Sequence, residues 1–183
     1  MAASPEDRLR RALHRSVACF RSARIPYALI GAFALAVWGR ARATHDLDFL
    51  ILVDEANLES LGNKMVKAGM EIDQAWQDWN PMLRGTVLRL QCDDVAVDLL
   101  RPRDAHDREA LRRRRRKLLE GRYYWFVSPE DFILQKLKAG RLRDFDDTAT
   151  IIERSREGLD QQYLHRWAGR LGVSGELDYI LNL

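Results

Sequence analysis

The chain has 183 residues, 46% hydrophobic and 31% charged, a length and balance that fit a globular domain with a substantial core. Lys and Arg number 30 against 27 Asp and Glu, a net charge of +3, so no overwhelming field of one sign marks the whole surface as a polyanion binder. No apolar run approaches the roughly 20 residues that span a bilayer, and the first residues lack the apolar centre of a signal peptide, so no membrane association and a cytoplasmic location are expected. Cys19 and Cys92 form no CxxC pair, and packed, reduced thiols are expected of both.

In chain order, Ser4-Pro5-Glu6-Asp7 reads as a helix start, with a Ser cap, Pro in the first turn and acids at the positive end. Leu9, Leu13, Val17 and Phe20 then recur at helical spacing. Pro26 ends that run, and residues 27–30 read as a short buried strand closed by Gly31. Residues 32–38 (AFALAVW) form a tightly packed helix with Gly39 at its C-terminal end. The spacing next predicts a strand over 47–53, a helix over 58–68, strands over 82–90 and 95–100 joined by a turn at Cys92-Asp93-Asp94, and an aromatic strand over 123–127. Ser128-Pro129-Glu130-Asp131 starts another capped helix. From there the chain reads as helical, with GRLRDFDD a charged turn inside it. The sum is an α+β fold, a mixed β-sheet flanked by helices, with a core over 1–127 and a small helical C-terminal part over 128–183.

The charges at 46 and 48 need an explanation. Positions two apart on a strand share a face, so Asp46 and Asp48 project together while Leu47 and Phe49 enter the core. Like charges so placed repel and call for a cation. Arg40 and Arg42 are near enough in sequence to supply one as surface ion pairs; a divalent metal is the alternative. Asp98 favours the metal, because a single carboxylate inside the apolar run VAVDLL is costly unless paired or bound. If the two strands are neighbours, three carboxylates converge, and hard oxygen donors of this kind suit Mg²⁺ or Mn²⁺. Gly31, at a strand-to-helix junction, lets the backbone approach a ligand, and the following amides of a helix start can hold phosphate.

Together these residues resemble the DNA polymerase β-like nucleotidyltransferase superfamily. IGAFALAVWGRARATHDLDFLI carries its pattern, with Gly31, Arg42, Thr44, Asp46 and Asp48 in place, and VAVDLL supplies the third Asp as Asp98. Ala32 stands where many members have Gly or Ser. SPEDFILQKLKAGRLRDFDD is similar to the C-terminal segment of the small prokaryotic branch related to AbiEii-type toxins, matching at Lys136, Arg141, Asp144 and Asp147. The resemblance implies metal-dependent transfer of a nucleoside monophosphate from an NTP to an acceptor hydroxyl. It implies metal ligation by Asp46, Asp48 and Asp98, a general base in Asp98, and triphosphate or pyrophosphate neutralisation by Lys136. Gly31, Ala32, Arg42, Thr44, Lys136 and Asp144 are the nucleotide-binding candidates. An antitoxin partner is implied by the same branch.

Alternatives stay open at several positions. Arg42 either reaches phosphate or pairs with an aspartate. Asp144 and Asp147 share a helix face, and pairing with Arg141 or Arg143 is favoured over catalysis. His45 should point away from Asp46. Trp76 and Trp79 lie in a loop-like segment where one of them could stack a base, and Trp125 is read as core. The RRRRRK block from Arg112 to Lys117 suits the phosphates of an RNA or tRNA acceptor, or else is a solvated face. A protein hydroxyl is a further candidate acceptor, and an aminoglycoside is disfavoured. The rival class is a non-catalytic nucleotide- or nucleic-acid-binding module on the same fold.

Overall fold

The computed structural model describes residues 3–182; the outermost positions of the two ranges drawn from the sequence, 1–2 and 183, lie outside the described residues. The chain divides into two compact units that alternate along it. One takes the residues up to Leu29 together with Thr44–Leu111, and the other takes Ile30–Ala43 and the chain from Arg112 onward.

The first unit is a mixed sheet with helices on it. Helix α1 (Pro5–Ala23) starts at Ser4, whose hydroxyl accepts from the Asp7 N–H, and ends at Arg24 in the left-handed conformation. Its buried stripe includes Leu13, Val17 and Phe20. Strands β1 (Tyr27–Leu29), β2 (Asp46–Ile51), β3 (Glu71–Ile72), β4 (Val87–Cys92) and β5 (Val95–Leu100) stand in the order β3-β4-β5-β2-β1. β2 and β5 run parallel, and the other pairs are antiparallel. Leu47, Phe49 and Ile51 are fully buried, and the Phe20 ring meets Phe49 edge-on at 5.0 Å. Period-two alternation thus turns Leu47, Phe49 and Ile51 to the α1 side and leaves Asp46 and Asp48, followed by buried Leu50, on the other face.

Helix α3 (Glu55–Lys67) is capped by Asp54, and α4 (Gln74–Trp79) by Asp73. Two corrections to the sequence reading fall here. The segment around Trp76 and Trp79 is helical rather than loop-like, because Asp73 satisfies the Trp76 N–H. The strand expected from 82 begins only at Val87, since Pro81 opens a short 3-10 turn and leaves Met82 exposed. β4 and β5 are joined by Asp93 and Asp94, both with positive φ (52° and 63°), the backbone of a two-residue turn that matches strand twist. Arg11 of α1 binds Asp93 and Arg8 binds Asp94, each at 2.9 Å. The thiols of Cys19 and Cys92 are both free and buried, and burial pushes both upward in pKa.

The second unit contains α2 (Gly31–Trp38), the hairpin of β6 (Arg115–Leu119) and β7 (Arg122–Phe126), and helices α6 (Pro129–Ala139), α7 (Leu142–Ser155), α8 (Gln161–Leu171) and α9 (Ser174–Leu181). Helix α5 (Ala105–Arg113) precedes the hairpin. Gly39 ends α2 where a Cβ would lie 2.5 Å from Thr150 Oγ1 and 2.9 Å from Ile151 Cγ1, so α7 packs there only against a residue without a side chain. The charged turn expected at GRLRDFDD is shorter than that. Gly140 closes α6 with a positive φ, and α7 begins at Leu142.

β6 was not anticipated as a strand. Its Arg- and Lys-rich sequence has no alternation, and it is paired into a ribbon by the aromatic β7. Arg113, at the end of α5, is not a solvated cation. It pairs with Glu130 at 3.3 Å and Asp131 at 3.4 Å and lies 3.7 Å from the Tyr163 ring centroid. The Ser128 hydroxyl donates to Asp131 at 2.7 Å, so the helix start read from the sequence is also the centre of a buried polar network.

Candidate functional site

The parallel pairing of β2 and β5 sets Asp48 directly beside Asp98, and Asp46 beside Ala96. Partners in register share a face, so the three carboxylates lie on one side of the sheet. Asp46 is exposed, Asp48 half-buried and Asp98 buried. The charge is therefore graded along β2 and β5 from solvent inward.

Each outer member of this row has a local partner. The Thr44 hydroxyl donates to the Asp46 carboxylate. Arg89 on β4 stands opposite Asp98 and donates to both of its oxygens, Nε and one Nη each at 2.6 Å. Hydrogen bonding to Asp98 raises the Arg89 guanidinium above its ordinary pKa, burial opposes this, and the charges of Asp98, Asp73 and Asp48 add to the rise. The same guanidinium lies 4.5 Å from the Trp76 ring centroid, so Trp76 stacks a cation of the chain itself. Asp73 is held below the usual carboxylate range, chiefly by the Gln91 side chain and then by the Trp76 N–H.

Arg89 is the residue the sequence reading missed. The signal was available: counting back from the Asp93-Asp94 turn, residue 89 falls opposite residue 98. Arg40 and Arg42, near enough in sequence to be candidate partners of the β2 carboxylates, have partners in their own unit. Arg40 approaches Glu153 at 3.9 Å and Arg42 reaches Asp147 at 3.4 Å.

In the second unit Lys136 of α6 bonds Asp144 at 2.5 Å and Asp147 at 3.0 Å. Asp144 and Asp147 are both buried, and with Arg42 the group is two cations against two carboxylates. The pairing expected for these aspartates was with Arg141 or Arg143; the structure gives them Lys136 and Arg42. Position explains it, since Arg141 precedes α7 and Asp144 lies one turn in, facing α6. One Asp144 oxygen, Oδ2, is buried with no donor among the described residues. Gly31 begins α2 at φ 59°, a conformation that favours glycine. Ile30 offers α2 no side-chain cap, which leaves its first amides to the backbone or a ligand. Ala32 is buried, and His45 is exposed.

Two groups have donor chemistry that fits a divalent cation. The carboxylates of β2 and β5 are hard oxygen donors, and a carboxylate held by one Arg keeps lone pairs in reserve. Among the described residues, Asp104, His106 and Asp107 bring one ligand atom each within 4.8 Å of the others. This second trio also has a local role. Asp104 accepts from the Asp107 N–H at 2.8 Å, and Asp107 accepts from the Arg103 N–H at 2.9 Å, which ties down the start of α5.

No protein-family model matches the sequence, and no curated protein matches it. Solved structures do match. An antigenic nucleotidyltransferase-like protein from Paracoccidioides brasiliensis aligns with 96% of this chain and 93% of its own at 19% identity and a TM-score of 0.56. The antibiotic-resistance factor ANT(2'')-Ia aligns over 91% of this chain and 94% of its own, at 12% identity and a TM-score of 0.57. The lincosamide antibiotic adenylyltransferase LnuA, in its lincomycin-bound form, covers 77% of this chain and 94% of its own, at 15% identity and 0.53. The chain has the fold of nucleotidyltransferase-like proteins. No described helix is long and apolar enough to cross a membrane.

Proposed function

We propose that the protein is a cytoplasmic, metal-dependent nucleotidyltransferase that moves a nucleoside monophosphate from an NTP to an acceptor hydroxyl. The observation that carries this reading is the β2–β5 register, which sets Asp48 beside Asp98 with Asp46 on the same face. The likeness in fold to the lincosamide antibiotic adenylyltransferase LnuA supports it.

In this reading Asp46, Asp48 and Asp98 hold Mg²⁺ or Mn²⁺, which when bound neutralises phosphate charge. Asp98 accepts the proton of the acceptor hydroxyl as its oxygen bonds to the α-phosphorus; the bond to the β-phosphate breaks and pyrophosphate leaves. Arg89 fixes the Asp98 carboxylate in place. Gly31, Ala32, Arg42, Thr44, Lys136 and Asp144 are proposed to bind the nucleotide on the strength of the sequence resemblance. Lys136 and Arg42 already have aspartate partners, so a triphosphate would compete with Asp144 and Asp147 for them.

An RNA or tRNA acceptor is supported by the β6–β7 ribbon. Arg114 lies over Trp125 at 4.8 Å and Arg116 over Tyr123 at 4.4 Å, with Leu118 and Tyr123 exposed, a mixture of cations and rings suited to phosphates and bases. A small-molecule hydroxyl is the second reading, favoured by the likeness to ANT(2'')-Ia and LnuA. The AbiEii-type toxin role and an antitoxin partner rest on the segment around Lys136 alone.

The test is incubation with each α-labelled NTP and Mg²⁺ or Mn²⁺, with total RNA, the protein itself or an aminoglycoside as acceptor. Label in one acceptor class, lost in Asp48→Ala, is expected. Nucleotide binding with no label in any arm would instead establish the non-catalytic module, which the two hydrogen bonds from Arg89 to Asp98 favour.

A further inference from the structure

A cavity of about 680 Å³ in the first unit lies outside every role assigned above. Its wall includes Leu52 and Val53, which follow β2, and Arg101, which follows β5. It therefore opens at the carboxyl ends of the two parallel strands, where open α/β sheets place ligands. Leu52 is four residues beyond Asp48, about 13 Å along a strand, so the cavity and the acidic row occupy different ends of β2.

The lining is cationic. Arg24, Lys64, Arg101 and Arg108 face it, with Asp54 the one carboxylate in the wall. Asp54 is engaged as the cap of α3, accepting from the Asn57 N–H at 2.8 Å. Arg101 is tethered rather than loose: Nε donates to the Val53 carbonyl at 3.0 Å and Nη1 to the Gly85 carbonyl. Arg101 also forms a 3.9 Å ion pair with Glu55, which is largely exposed and lies outside the lining. Arg108 makes a 3.4 Å contact with the Asp104 carbonyl. Carbonyl oxygens orient both guanidinium groups, and the solvent-screened pair with Glu55 leaves Arg101 most of its charge. Arg24 enters from the end of α1 at φ 56°, where glycine is the usual residue. Neither Arg24 nor Lys64 has an ion pair among the described residues. Four cations around one hollow repel each other, and an anion that enters relieves that repulsion. Ile25, Pro26 and Leu52 add an apolar side, with Leu52 48% exposed. The volume is in the range of small-ligand sites.

We infer that this cavity is a second, metal-independent site for a phosphorylated small molecule, a di- or triphosphate group held by Arg24, Lys64, Arg101 and Arg108. The phosphate group belongs either to a nucleotide, whose base and ribose rest on Ile25 and Leu52, or to inorganic pyrophosphate. The inference does not depend on catalysis at the acidic row.

Calorimetric titration of the full chain in EDTA, with ATP and separately with pyrophosphate, tests it. Saturable binding of one equivalent is expected, weakened at least about tenfold in the Arg24→Glu/Lys64→Glu variant and unchanged in Asp48→Asn. Tighter binding of ATP than of pyrophosphate assigns the site to a nucleotide; equal binding assigns it to the phosphates alone. Both replaced side chains are exposed, and circular dichroism checks that the variant is folded. Absence of saturable binding of either ligand at millimolar concentration overturns the inference, as does binding that survives the double charge reversal or disappears in Asp48→Asn.

Discussion

Two charged groups of this protein, the β2–β5 row and the Lys136 group, use the same residue types in opposite ways. The β2–β5 row sets three carboxylates on one face, graded from exposed Asp46 to buried Asp98, with Arg89 on the innermost. The Lys136 group holds two carboxylates against two cations, with both aspartates buried. The first has hard oxygen donors at and near the surface, a chemistry suited to a cation. The second is balanced internally, and most of its charge is spent within the protein. Net charge and burial, rather than the mere presence of acids, separate a row whose oxygen donors suit an added cation from a group in which acids and cations already balance.

Substitution at Asp48 tests the first half of that contrast with the largest expected effect. Asp48→Asn is expected to lower nucleotidyl transfer about a thousandfold, roughly 4 kcal/mol of barrier, with the melting temperature unchanged. A large fall in melting temperature would show the row to be structural. Lys136→Met probes the other half. Removing one member of a buried ion pair costs about 3–5 kcal/mol, and the lower end is expected because Lys136 keeps 16% of its side chain exposed. Denaturant unfolding reads this directly, and a stable variant would show that Asp144 and Asp147 are held by other means.

A smaller effect is expected of Gly39→Ala, which drives a methyl group into Thr150 and Ile151. Overpacking of this kind costs about 1–3 kcal/mol, seen as a lower unfolding midpoint without change in the β2–β5 row. The smallest is acid sensitivity in the first unit. Hydrogen bonds from Gln91 to Asp73 and from Arg11 to Asp93 hold both carboxylates below their ordinary pKa. Their stabilisation is present above the unfolded value of about 3.9 and is lost as the pH falls through the depressed folded values. Unfolding midpoints measured from pH 5 downward should fall, and less so in Asp73→Asn.

Much of this was legible in the sequence because the informative signals were local. Ser4 and Ser128 announce their helices through a cap and a proline, and Asp46-Leu47-Asp48 announces a two-faced strand through period two alone. The α+β class follows from those elements. What was not legible depended on pairing. Nothing in RRRRRK specifies a strand; β6 exists because β7 offers it a partner. Met82 looks like a strand residue, yet the turn that Pro81 opens leaves it exposed. Arg89 became a partner of Asp98 only through the hairpin. Lys136 bonds aspartates eight and eleven residues ahead because α6 and α7 pack together, a tertiary fact that outcompeted the nearer Arg141 and Arg143.

The short turn at Asp93-Asp94 has a consequence at the other end of its strands. Shifting β4 by one residue against β5 would send Arg89 to the opposite face and leave Asp98 without its counter-charge. Arg8 and Arg11, reaching from α1 to the two turn aspartates, act as a phase lock on the ladder. The electrostatic balance of the acidic row is thus set in part by two surface arginines that never touch it.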